Sequence, residues 1–137
     1  MGKRILAALA AIAAFVLISA SPAWAGSPHF VDDTVQATVS GDSVTVSGKE
    51  AGLGSEDQVH IVVTALAACI NPGGNDPKAA NKESFSAEGD FPVQNGKAYF
   101  SLTLVATFQP SCSPPMSVQW SDIVVTDTTH GVTEVLG

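Results

Sequence analysis

The sequence predicts an all-β domain of seven antiparallel strands folded into two packed sheets. Three observations carry this. Apolar and polar residues alternate with period two in segment after segment. Gly, Pro, Asn and Asp punctuate those segments at short intervals. Past the N-terminus, no stretch sustains the 3.6-residue period of an amphipathic helix.

The first element is not a strand. Lys3 and Arg4 precede an uninterrupted apolar run from Ile5 to Ile18, and Ser19 to Ala25 turns polar and ends in Ala23-Trp24-Ala25. Small residues at those last positions are what signal peptidase reads. The run is shorter than the roughly 20 residues a spanning helix needs. Residues 1–25 are therefore expected to be a cleaved signal peptide, and residues 26–137 one secreted, extracellular domain with no membrane attachment. Neither a twin-arginine pair nor a Cys at the cleavage point suggests another export route.

Cleavage removes Lys3 and Arg4. Lys49, Lys78, Lys82 and Lys97 then face thirteen carboxylates, a formal net charge of −9 with no Arg at all. Nucleic-acid binding needs cations to neutralise phosphates, so this balance excludes it. It disfavours an anionic membrane surface for the same reason.

The strands follow in order. Thr34 to Ser40 places Val35, Ala37 and Val39 inward, Gly41-Asp42 turns, and Val44 and Val46 return. Val59 to Leu66 is apolar on both faces and reads as a central strand. Ser84 to Val93 offers Phe85, Phe91 and Val93 to the core, while Gly89 and Pro92 mark it as bent or at an edge. Asn95-Gly96 suits the positive φ angles of a tight hairpin turn. Lys97 to Phe108 then sets Ala98, Phe100, Leu102, Leu104, Ala106 and Phe108 on one face. Ser117 to Asp127 carries Val118, Trp120, Val124 and Val125, with a phase slip near Ser121-Asp122 that predicts a bulge. His130-Gly131 turns into a last strand, Val132 to Leu136. Seven strands in about 110 residues predict an immunoglobulin-like β-sandwich. An antibody-type domain fits less well, because Trp120 follows both cysteines instead of lying between them.

In an oxidising compartment two cysteines should pair, and Cys69 and Cys112 allow only one bond. It closes a loop worth about 4 kcal/mol in the chain-entropy model. Neither cysteine has a local His partner that would suggest a catalytic thiol.

No catalytic, cofactor or metal residue is assigned from sequence. His29, His60 and His130 lack zinc-helix spacing. Pro28 removes the backbone N–H that an N-terminal copper clamp through His29 would need. Asp32-Asp33, Glu56-Asp57 and Glu88-Gly-Asp90 lack the fixed ligand spacing of an EF-hand and read as solvated turn charges, with weak calcium binding the alternative. No serine lies in Gly-x-Ser-x-Gly. The stretch from Ile70 to Lys82, rich in Pro, Gly and Asn, is the candidate interaction loop, with Asn71, Asn75, Asp76, Lys78 and Asn81 as its recognition residues. The disulfide would join it to the loop from Gln109 to Met116. The competing reading makes it a plain connection whose residues serve the turns.

Ala68-Cys-Ile-Asn-Pro-Gly-Gly and Asn95-Gly-Lys-Ala-Tyr-Phe-Ser-Leu-Thr-Leu resemble segments of small secreted proteins of high-GC Gram-positive bacteria. That resemblance implies compartment and fold, and no activity. Val44-Thr-Val-Ser-Gly followed by Ala51-Gly-Leu, with the Ala68-Cys-Ile-Asn-Pro stretch and Ser101-Leu-Thr-Leu, is also similar to the neocarzinostatin-type chromoprotein apoproteins. Those are acidic seven-stranded sandwiches that carry an enediyne in a cleft. They close two small loops with two disulfides, whereas Cys69 and Cys112 each match one half of a different bond. The expected function is thus a non-enzymatic extracellular interaction module acting through loops 70–83 and 109–116, with an unknown protein or cell-surface partner and no cofactor. A small-molecule carrier of the chromoprotein type is the alternative, and a hydrolase stands behind both.

Overall fold

The computed structural model describes residues 27–73 and 81–137. The expected signal peptide lies outside the described residues. Among the described residues the chain is all-β, with eight strands in two antiparallel sheets packed as a sandwich. They are β1 (His29–Phe30), β2 (Gln36–Ser40), β3 (Ser43–Ala51), β4 (Gln58–Ile70), β5 (Lys82–Pro92), β6 (Ala98–Val105), β7 (Ser117–Asp127) and β8 (Val132–Val135). The eighth strand corrects the sequence-based count of seven. β1 is two residues long, too short to show any alternation.

In one sheet β3 is central: β6 pairs along one side of it, and β2 and β1 pair in turn along the other. The second sheet runs β5-β4-β7-β8. β4 is indeed central and β5 an edge, as the two-faced apolar pattern of one and the Gly89 and Pro92 of the other imply. The hairpin between β5 and β6 turns at Asn95 and Gly96, with φ of 55° and 75°. Both values are the left-handed angles such a two-residue turn requires.

The core lies between the sheets. Val44, Val46, Phe100 and Leu104 from the first sheet meet Val59, Ile61, Val63 and Val125 from the second. From Ala98 to Phe108 the even-numbered residues are buried or half-buried while the odd-numbered ones are exposed. Phe100 anchors edge-to-face contacts with Phe30 at 5.7 Å and Phe91 at 6.3 Å. Gly48 is needed because a Cβ there would lie 2.9 Å from Val35 and 3.0 Å from Phe100.

The expected bulge is present. Between Thr64 and Leu66 of β4, β7 carries one extra residue, and Asp122 adopts a φ of 51°. The inward face of β7 therefore shifts to Ile123, Val125 and Asp127, all buried.

One expectation about β2 is overturned. Val35 is buried, but every residue of β2 is exposed, Ala37 and Val39 included. The C-terminal segment pairs with β7 only from Ile123 to Asp127. At the Ser117 end the second sheet therefore stops at β7. β2 pairs with Ser43–Ser47 of β3, at that same end, and so lies beyond the reach of β8.

Candidate functional site

The two ends of the sandwich differ in chemistry. At one end lie the cysteines, bonded as expected, with their Cα atoms 5.8 Å apart. The bond ties the last turn of β4 to the loop between β6 and β7. Asn71 is exposed just beyond β4, and Asn81 is half-buried just before β5. Asn75, Asp76 and Lys78 lie outside the described residues.

Around this bond a second apolar cluster gathers Ala67, Cys69, Ala106 and Phe108, with Met116 and Trp120 packed on it. Phe85 meets Trp120 and Phe108 edge-to-face, at 5.9 and 6.1 Å. The Trp120 Nε1–H is buried and has no acceptor among the described residues. Two adjoining depressions, of about 270 and 290 Å³, open between the Gly41-Asp42 turn and the 109–116 loop. Asp42, Cys112 and Val118 line both, Phe108 the first and Met116 the second. The groove can seat an apolar group or a short segment of a partner.

At the opposite end are the charges. Asp127 closes the β7–β8 turn: its Oδ1 accepts the backbone N–H groups of Thr129 at 2.8 Å and His130 at 3.1 Å. Its Oδ2 lies 2.7 Å from His130 Nδ1, and His130 Nε2 lies 2.6 Å from Glu56. An ionised carboxylate only accepts, so contacts on both ring nitrogens favour the doubly protonated ring. Burial opposes that charge, but the hydrogen bonds to Asp127 and Glu56 outweigh it and hold the His130 pKa above its ordinary value. Glu50 reaches this cluster from the inward face of β3. Glu50 and Asp127 are both 0 % exposed. Neither Glu50 oxygen has a hydrogen-bond partner among the described residues. Burial first, then the neighbouring Asp127 and Glu56, push the Glu50 pKa up to about 9. At neutral pH, without an added cation, Glu50 is thus a neutral acid beside Asp127.

Sequence reasoning named Glu56 and His130 but missed Glu50 and Asp127. The signal was there. Glu50 continues the inward parity of Val44 and Val46, and Asp127 that of Ile123 and Val125 once the bulge is counted.

His60 makes a third constellation, on the outer face of the second sheet. Its ring bridges Asp90, its direct cross-strand partner, and Glu88, each at 2.7 Å. The carboxylates sit on opposite ring nitrogens, so they do not converge on one point. Hydrogen bonds to Asp90, then Glu88, raise the His60 pKa. His29, exposed in β1, lies 2.8 Å from the Ser27 carbonyl.

No family model, curated protein or solved structure matches this chain. The site must be read from its own geometry.

Proposed function

We propose that the chain is exported after cleavage at Ala25 and acts as a non-enzymatic, immunoglobulin-like binding module. It holds an extracellular protein or cell-surface partner against its disulfide-tied loop end. One observation carries the reading: at this end β2 is exposed along its whole length, and a groove lies between the Gly41-Asp42 turn that follows it and the 109–116 loop. Val39 of β2 is 54 % exposed. A rigid scaffold with an open, partly apolar end suits recognition, and a disulfide at the base of the loops holds them ready.

The histidine chemistry supports a role without catalysis. His60 and His130 each have both ring nitrogens committed to carboxylates, and neither ring meets a Ser, Thr or Cys nucleophile among the described residues.

A small-molecule carrier is the second reading, favoured by the same groove and by the resemblance to chromoprotein apoproteins. Ligand pockets of that kind run from about 300 to 1,000 Å³ and enclose most of the ligand. Depressions of about 270 and 290 Å³, both open to solvent, fit a protein contact better.

The deciding experiment compares wild-type protein with Val118→Asp and Met116→Asp, each recovered by tag from the medium of the producing organism. The reading expects a stoichiometric partner with the wild type and at least about tenfold less with either variant, as for loss of a central apolar contact. His29→Ala, remote from the groove, retains it. Recovery unchanged by both groove variants, or no partner with any protein, overturns the reading.

A further inference from the structure

At the charged end, three side chains each present one atom to the same small volume. Asp127 commits Oδ1 to two backbone N–H groups, and its Oδ2 pairs with His130 Nδ1 at 2.7 Å. His130 commits its other nitrogen, Nε2, to Glu56. Glu50, fully buried, has both oxygens unpartnered among the described residues. One oxygen of Glu50, one of Asp127 and a ring nitrogen of His130 all lie within 4.8 Å of one another. Buried polar atoms without partners are rare and costly, and a missing ion is one of their common explanations.

We propose that Glu50, Asp127 and His130 form a binding site for one divalent ion of the zinc class. The donor set is one imidazole nitrogen and two carboxylate oxygens, a mixture that suits zinc. Calcium takes six to eight oxygens, and magnesium keeps several waters in a near-ideal octahedron, so a buried site with a nitrogen donor suits neither. Ligand atoms about 2.0–2.2 Å from a tetrahedral ion are about 3.3 Å from one another. Here Nδ1 and Oδ2 are 2.7 Å apart, and all three atoms lie within 4.8 Å, so small side-chain adjustments bring them to that spacing.

Glu56 is the positioning residue. A metal-bound His usually donates its other ring N–H to a carboxylate, which fixes its tautomer and orientation. Glu56 stands in that place, 2.6 Å from Nε2. Once the ion binds, His130 Nδ1 and the Glu50 carboxyl each release a proton to solvent, and Glu50 acquires the partner it lacks. Because Glu50 belongs to one sheet and Asp127 to the other, the ion joins the two sheets at the end away from the disulfide.

The test uses disulfide-intact, chelator-stripped wild-type protein titrated with ZnCl2, MgCl2 and CaCl2, read by calorimetry and native mass spectrometry. One zinc per chain is expected, with magnesium and calcium far weaker. Glu50→Gln, which preserves shape, should weaken zinc by at least about 100-fold, and Glu56→Gln by about 10- to 100-fold. His29→Ala and His60→Ala should leave it unchanged. No saturable 1:1 zinc binding overturns the proposal. So does zinc binding that survives Glu50→Gln and is lost in His60→Ala, or calcium binding as tightly as zinc. Should Glu50→Gln fail to fold, the wild type decides by nitrogen NMR. Zinc must shift the His130 ring nitrogens, and an unshifted His130 ring overturns the assignment.

Discussion

At the scale of single residues, the two ion-paired histidines organise the charged face. Asp127 serves three donors at once: two backbone N–H groups of the turn and the His130 ring. Asp127→Ala strands all three in a buried place, and should cost about 3–5 kcal/mol in urea unfolding. A loss below 1 kcal/mol would show that the turn does not depend on the carboxylate. His60 gives a pH test of the same kind. Hydrogen bonds to Asp90 and then Glu88 hold its folded pKa above the ordinary histidine value. The pairing therefore adds stability that is fully present below the unfolded value and is lost as pH rises through the folded one. NMR titration should place the His60 midpoint above that of the unfolded chain, and His60→Gln should flatten the corresponding part of the stability profile. An equal or lower midpoint would contradict the pairing.

At the scale of elements, alternation made β6 legible almost residue by residue, and Asn95-Gly96 gave its turn. The bulge in β7 was legible too, as a slip in apolar phase. What sequence alone could not supply was lateral context. Val39 alternates like a core residue, yet it is exposed at the end of the sandwich that β8 does not reach, a property of strand order and not of β2. The charged cluster escaped for the same reason. Its members are separated by up to 80 residues in sequence, Glu50 to His130, and meet only when the sheets pack. Even so, Glu50 and Asp127 stand at inward positions of their strands, and a carboxylate there is the local trace of a site. Close packing between elements yields a further prediction. Gly48→Ala drives a methyl into Val35 and Phe100, and should lower stability by about 1–3 kcal/mol. A thermal melt unchanged from wild type would show that β3 yields there.

At the scale of the whole molecule, the sandwich has a stapled, open end and a charged, closed one. The disulfide links positions 43 residues apart. Loop-closure entropy makes it worth about 4 kcal/mol, a large share of a stability of about 5–15 kcal/mol. The Cys69→Ser, Cys112→Ser double variant should unfold at correspondingly lower denaturant, and a midpoint equal to wild type would remove the staple from the account. The same bond positions the 109–116 loop at the groove beside the Gly41-Asp42 turn, so partner binding should weaken in that variant even under conditions where it remains folded. Native mass spectrometry of the wild-type protein taken from the medium of its producing organism tests the central claim most directly. The account predicts a chain beginning at Gly26, with Cys69 and Cys112 bonded, in a defined complex with a macromolecular partner. A free chain in the medium with nothing bound, or a chain that stays with the cells and keeps residues 1–25, would contradict it.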